Sequence, residues 1–447
     1  MAEPASASDC PLSVGQQMRN LIVYSTIIGL VFLGAPVLYV GNLHAALCEK
    51  LGQSPTLSNL PSTAYQCALP LAILVAWLFP YVRSLRLVLA VSYLLTAAMS
   101  ALVVAALLLP SREWVYPALV AHAAVLGCSL GVHGTFLWEI LARGVAEGRR
   151  GQALAVAFGI GPFLAAGSSL AQQLVLTGRV GPLQVPPLGF PMNFLAIFAA
   201  GIPIALATAF LAMQFIVPLP ETDVQRQPFR AAVFGGFEAY LSYRLILWAA
   251  IGLILVYSGH LISTTLTLYT QVATGRPAAD YAGYQNTLRF GCKIFAGFFL
   301  GWLLTRTNAR AAMLATCGLS MAAVVWALVA PGAWFLLSFG LLGAGELFGV
   351  YYPNYILSCS PKSKMRRNMA FTSLMYLPPG AAPVLYGFIA DRAGQMYGKA
   401  VGFQLSFAAS LVILASSFLV VLCTLMPRPH PRPEDMELSD KAAVALP

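Results

Sequence analysis

Runs of about 20 apolar residues, nearly free of charge, recur along the whole chain and constrain its fold more than any other feature. Neither the stretch 87–109 nor the stretch 403–426 contains a single Asp, Glu, Lys or Arg. Segments of this length match a bilayer core of roughly 30 Å. In lipid every backbone N–H and C=O must be bonded within the segment, which dictates α-helix. The runs are continuously apolar rather than alternating, which disfavours a β-barrel. A soluble fold is equally ill supplied, since charged residues make up 9% of the chain against about 25% in soluble domains.

The spacing predicts an all-α polytopic membrane protein with twelve transmembrane helices. They fall at roughly 20–45, 60–82, 86–109, 115–141, 151–176, 191–217, 244–271, 280–304, 310–330, 333–358, 368–390 and 400–426. A longer connection, 218–243, carries Pro218, Pro220, Pro228, Arg226 and Arg230 and divides the chain into two six-helix halves, 20–217 and 244–426. Residues 1–19 form a polar N-terminal segment, and the Pro-rich, charged stretch 427–447 is expected to be a disordered tail. The first apolar run, from Leu21, is long enough to stay in the membrane, so no cleaved leader is expected.

The net charge of +10 raises the question of nucleic acid, and the placement of the basic residues answers it. With both termini cytoplasmic, eighteen of the 26 Lys and Arg fall on the cytoplasmic side, six outside and two (Arg289 and Lys293) within a helix. This is the bias that orients membrane helices. The basic balance therefore reports topology, and no nucleic-acid partner is expected. The eight cysteines show no metal-ligand spacing. Cys48 and Cys67 flank one loop, and are either a pair in an oxidising compartment or small buried hydrophobes.

Two six-helix halves with both termini inside resemble the major facilitator superfamily, over essentially the whole chain. The local motifs are partial. The family's loop after helix 2, G-x-x-x-D-R-x-G-R-R, reads Phe79-Pro-Tyr-Val-Arg83-Ser-Leu-Arg86 here, with the basic residues kept and the Gly and Asp gone. Its symmetry mate after helix 8 reads Gly301-Trp-Leu-Leu-Thr305-Arg306-Thr-Asn308-Ala-Arg310. A fuller match, Gly387-Phe-Ile-Ala-Asp391-Arg392-Ala-Gly394, falls at the outer end of helix 11. Helix 5 carries Gly159-Ile-Gly161-Pro162-Phe-Leu-Ala165-Ala166-Gly167, similar to the Gly-Pro motif of family antiporters and equally readable as small-residue packing. The resemblance implies gradient-driven transport through a cavity lined by helices 1, 4, 7 and 10.

Ionisable groups inside spans are costly and so mark functional sites. Gln285, Arg289 and Lys293 repeat at i, i+4 and i+8 on one face of helix 8. They read either as an anion-binding element or as half of a structural ion pair. Glu346, mid-span in Gly343-Ala-Gly345-Glu346-Leu-Phe-Gly349 of helix 10, is the candidate partner and the candidate proton-coupling group. Helix 7 offers a polar stripe at Tyr257, His260, Thr264, Thr267 and Gln271, and helix 1 offers Pro36, Tyr39 and Asn42. Helix 4 holds His122, His133 and a helix-surface pair, Glu139 with Arg143. Pro353 and the Pro378, Pro379, Pro383 cluster predict broken helices.

The expected substrate-binding set is Arg289, Lys293, Gln285, His260, Thr264, Tyr257, Tyr39 and Asn42, with Glu346 for proton coupling. No Walker loop, metal motif or catalytic constellation appears, so neither enzymatic activity, cofactor nor metal is expected. The reading is a monomeric secondary transporter of a small, anionic solute in a bacterial cytoplasmic membrane. Two alternatives stay open: an efflux antiporter for cationic or neutral compounds, and a non-transporting membrane receptor or integral enzyme.

Overall fold

The computed structural model describes residues 12–218, 228–234, 237–360 and 365–430. Twelve helical segments traverse it. Span 1 is built from Val14–Leu33, Ala35–Leu38 and Asn42–Lys50. Spans 2, 3 and 4 are Pro55–Leu78, Val82–Leu108 and Val115–Gly144. Span 5 is Glu147–Thr177 and span 6 Met192–Ala212. Spans 7 to 10 are Arg244–Thr274, Ala282–Arg306, Ala309–Val329 and Gly332–Ser358. Span 11 is assembled from Met365–Leu374, Pro378–Ala381 and Ala382–Tyr397, and span 12 is Lys399–Thr424. Among the described residues nine of these, all but spans 1, 5 and 11, are long and apolar enough to cross a membrane.

Local chemistry moves two helix starts ahead of the hydropathy pattern. Span 1 begins at Val14 because Ser13 accepts from the Gln16 N–H while the Gln16 side chain returns a bond to Ser13. Span 2 begins at Pro55 because Ser54 caps the Leu57 N–H and proline fits the first helical position. Of the proline-based breaks, the one in span 11 falls on Pro378–Ala381 as expected. Pro353 instead lies inside the continuous helix Phe348–Ser358, and span 10 breaks earlier, at Glu346–Leu347. The backbone has tightened just before it, with Gly349 and Val350 bonding back to Glu346 and Leu347. Residues 431–447, most of the expected tail, and residues 1–11 lie outside the described residues.

Spans 1–6 and 7–12 form two halves, each with its own apolar core. The first packs around Tyr24, Phe136 and Phe215 near the chain termini and around Phe194 and Phe198 at the far end. The second is one cluster that joins spans 7 to 12 through residues such as Phe339, Tyr352 and Phe407, and Phe290 of span 8 reaches across into the first half's core. The two partial loop motifs do matching work in the two halves. Arg86, at the start of span 3, donates to the Phe215 carbonyl just past span 6 at 3.0 Å. Arg310, at the start of span 9, donates to the Leu425 carbonyl just past span 12 at 3.0 Å. Each guanidinium meets unbonded carbonyls at the negative end of a helix, which is favourable without the missing aspartate.

The halves meet at one end. Calling the end that holds Val14 and Thr424 proximal, the hydrogen bonds between halves lie distal to, or level with, the middle of the bundle. Asn42 bonds Asn286 (3.0 Å) and Thr267 (2.9 Å), Glu49 accepts from the Ala278 N–H (2.7 Å), and Gln173 bonds the Asp280 carbonyl (2.6 Å). Asp391 of span 11 accepts through one oxygen from Ser54 Oγ (3.0 Å), the Thr56 N–H (2.8 Å) and Thr56 Oγ1, and so caps the start of span 2. Gly387 makes that approach possible, since a Cβ there would stand 2.5 Å from the Pro55 carbonyl oxygen. Among the described residues no hydrogen bond ties the proximal ends of the two halves together.

Candidate functional site

Several helices lose regularity near mid-depth, among them spans 1, 4, 7 and 10. Span 1 breaks at Tyr39–Gly41, span 7 at Leu261–Ile262 and span 10 at Glu346–Leu347, and span 4 widens into a π-turn over His133–Leu137. Irregular backbone at membrane depth is tolerated where protein or a cavity surrounds it, and it commonly marks a binding site. The intramembrane charges gather there.

Glu346 Oε2 lies 2.9 Å from Arg289 Nε and 2.9 Å from Lys293 Nζ. Two cations thus share one carboxylate oxygen, and the cluster carries a net charge of +1. Its geometry is set by the backbone. Spans 8 and 10 touch at Gly343, where a Cβ would come within 2.0 Å of the Arg289 carbonyl oxygen, and Glu346 follows one turn later. The side chains of Arg289, Lys293 and Glu346 are 13%, 16% and 22% exposed, so the cluster is not sealed off. Arg289 uses Nε for Glu346, while its terminal pair, Nη1 and Nη2, has no protein hydrogen bond among the described residues. Nη1 faces the Gly41 backbone at the break in span 1. Lys293 also lies over the Phe290 ring, 5.4 Å from its centroid.

The other expected site residues divide. Tyr39, half-buried, packs its ring on Phe32 (6.1 Å) and Phe290 (5.8 Å) beside Arg289, and its hydroxyl has no hydrogen-bond partner among the described residues. Tyr257, also half-buried, donates to Gln66 Oε1 of the opposite half at 2.6 Å and packs on Phe348 and Tyr376. His260 is buried against Phe348, with Nδ1 3.4 Å from Ser320 Oγ and Nε2 without a partner. Thr264 is buried, its hydroxyl without a partner among the described residues. Gln285 turns away from Arg289 to donate to Thr270 Oγ1 at 2.8 Å, and Asn42 is engaged between the halves by Asn286 and Thr267. Asn42 therefore braces the distal closure, while Gln285 ties span 8 to span 7 within the second half.

Two contributors escaped the sequence reading, Tyr65 and Gln66 of span 2. Tyr65 lies, with Tyr39 and Tyr257, within electrostatic reach of both Arg289 and Glu346. The signal available was a Tyr-Gln pair following Thr56, Ser58, Asn59, Ser62 and Thr63 in the first half of the span, which periodicity alone does not distinguish from packing. Away from the site, Glu139 pairs with Arg143 at 2.9 Å, His122 contacts His44 at 3.3 Å and Ser100 at 3.2 Å, and His133 bonds Tyr93. Cys48 and Cys67 are both free thiols. Among the described residues no group of His, Cys, Asp and Glu is placed to hold a metal ion.

Twelve spans in two halves, with a charged cluster where broken helices meet, define a polytopic membrane protein organised around a central seam. No known family's sequence pattern matches the chain, and no curated protein does. Solved structures do. A D-xylose–proton symporter superposes with a TM-score of 0.67 at 13% identity, covering 92% of this chain and 99% of that one. The nucleoside transporter NupG, as a D323A mutant, gives 0.65 at 12% identity over 91% and 99%. A bacterial homologue of the human lysosomal transporter Spinster, inward-facing and unoccupied, gives 0.64 at 16% identity over 94% and 100%. The fold is that of the major facilitator superfamily transporters.

Proposed function

We propose that this protein is a secondary active transporter that carries a small anionic solute across a membrane by alternating access. The observation that carries the reading is the Arg289 guanidinium, whose Nη1/Nη2 edge has no protein hydrogen bond among the described residues while it belongs to a cluster of net charge +1 at the seam between the halves. A planar fork of two donors matches a carboxylate or phosphate bidentately. That the nucleoside transporter and the xylose–proton symporter share this fold supports solute transport as the activity.

The chemistry follows from competition. An anion arriving at Arg289 draws the guanidinium from Glu346, which keeps Lys293 as its remaining cation. A carboxylate that loses one of two neighbouring cations is easier to protonate, so Glu346 is the group assigned to proton coupling. The closed distal contacts, with no proximal hydrogen bond between the halves among the described residues, are consistent with one end of such a cycle. With both termini cytoplasmic, as the distribution of Lys and Arg favours, that state opens to the cytoplasm.

The test is counterflow in proteoliposomes, paired with thermal-shift screening of anionic, neutral and cationic solutes. A ligand at 100 times its dissociation constant stabilises by about 2.7 kcal/mol, a readable shift. Anions alone should stabilise the protein, and Arg289→Ala should abolish both the shift and counterflow in a folded protein. Stabilisation of parent and Arg289→Ala alike by cations or neutral hydrophobes would replace this reading with the efflux alternative.

A further inference from the structure

The surroundings of Arg289 narrow the class of anion, an inference that rests on the transport reading above. We propose that the substrate is a monovalent organic carboxylate with a bulky apolar body. Its carboxylate takes the Nη1/Nη2 edge of Arg289, and its body lies between the rings of Tyr39 and Tyr257.

Charge comes first. While ionised, Glu346 neutralises one of the two cations, both at 2.9 Å, so in that state one negative charge balances the cluster. A dianion would leave an uncompensated charge in a poorly solvated seam, where it is costly. Donors and acceptors come next. The groups facing this point are rich in donors: Arg289 Nη1 and Nη2, the remaining Lys293 protons, and the amide N–H of Gln66, whose oxygen is taken by Tyr257. Several of the nearby amide acceptors are engaged. Asn42 is bound to Asn286 and Thr267, Asn286 also to Gln172, and Gln173 to the backbone of span 8 and of the connection between spans 7 and 8.

Shape comes last. Tyr39 is backed by Phe32 (6.1 Å) and Phe290 (5.8 Å), and Tyr257 by Phe348 (5.4 Å) and Tyr376 (5.0 Å). Each tyrosine is half-buried and held by two further rings, so it offers a rigid apolar face at little entropic cost. Tyr39 stands in span 1 and Tyr257 in span 7, on opposite halves, so a body between them touches both sides of the seam.

The experiment uses the full chain in nanodiscs and in proteoliposomes, with six probes: phenylacetate, cyclohexanecarboxylate, acetate, phthalate, 2-phenylethanol and inorganic phosphate. Phenylacetate and cyclohexanecarboxylate should bind at least about tenfold more tightly than acetate, a step of about 1.4 kcal/mol. Phthalate, phosphate and 2-phenylethanol should bind weakly. Tyr39→Ala should weaken phenylacetate about tenfold and leave acetate unchanged, while Tyr39→Phe, which keeps the ring, should bind like the parent. Acetate or phosphate matching phenylacetate, in an Arg289-dependent way, overturns this substrate class and leaves anion transport standing. Binding of 2-phenylethanol that survives Arg289→Gln overturns both. Failure of all six probes to shift the folded protein also overturns the class proposed here.

Discussion

Removing the Asp391 carboxylate should open the distal end of the molecule. One oxygen of Asp391 accepts from Ser54 Oγ at 3.0 Å, from the Thr56 N–H at 2.8 Å and from Thr56 Oγ1, joining span 11 of one half to the start of span 2 of the other. A hydrogen bond to a charged group contributes roughly 1.5–3 kcal/mol when well buried. These groups are partly solvent-exposed, so the three together are worth about 3 kcal/mol, or roughly a hundredfold in the balance between distal-closed and distal-open states. A closed population near 99:1 would then fall to about 1:1 in Asp391→Ala. The assay is a spin–spin distance measurement between labels at positions 53 and 395, in a background with the eight native cysteines replaced. A longer-distance population should appear in Asp391→Ala and a smaller one in Asp391→Asn, which keeps one acceptor oxygen. Superimposable distance distributions for parent and Asp391→Ala, with both proteins folded, would refute the argument that this cap holds the halves together.

Three further outcomes follow from the same geometry. Glu346→Gln leaves Arg289 and Lys293 facing each other without their carboxylate and should destabilise by about 3 kcal/mol. Adding Lys293→Met should recover part of that loss, and a lower thermal midpoint in the double variant would contradict it. Gly343→Ala pushes span 10 off span 8, because its Cβ would meet the Arg289 carbonyl oxygen at 2.0 Å. A cost of about 1–3 kcal/mol is expected in thermal unfolding, together with loss of anion binding. Arg310→Ala and Arg86→Ala each remove a helix-end cap and should cost about 1 kcal/mol. The caps sit in different halves, so the double variant should show the sum, and strong non-additivity would argue that the halves do not fold around separate cores.

The membrane architecture was legible because span length and the bias of Lys and Arg act locally and add up along the chain. The charged cluster was legible for a similar reason. The i, i+4 spacing put Arg289 and Lys293 on one face, and Glu346 was the carboxylate nearest mid-depth in a neighbouring span. Contacts that depend on how two halves tilt were not legible. Asp391 meets Thr56 across 335 residues of chain, and nothing near either residue advertises the other. Gln285 and Asn42 sit in sequence as though they face the cavity, yet Thr270 and Asn286 claim them, because a polar side chain in a span bonds the nearest partner the packing supplies. The break in span 10 was misplaced for a subtler reason. Pro353 removes a donor, but where the helix gives way depends on the backbone around Glu346, which local sequence does not weigh.

The two faces of span 8 have a consequence for how the chain enters the bilayer. One face carries Arg289 and Lys293, while Phe295, Phe298, Phe299 and Trp302 project outward from the other half of the helix, more than half exposed. Each buried cation adds on the order of 2.5–3.5 kcal/mol to the free energy of insertion at a helix centre. The mean hydropathy of this span is only 1.3, against 2.4 for span 12. Span 8 is therefore a poor membrane helix until Glu346 is made, 57 residues after Arg289. During synthesis it should wait at the insertion machinery for span 10 and leave with it as a pair. Chains truncated before Glu346 should fail to integrate span 8 in a glycosylation-mapping assay, and chains extended beyond span 10 should integrate it. Equal integration of both would show that span 8 needs no counter-charge to enter the lipid.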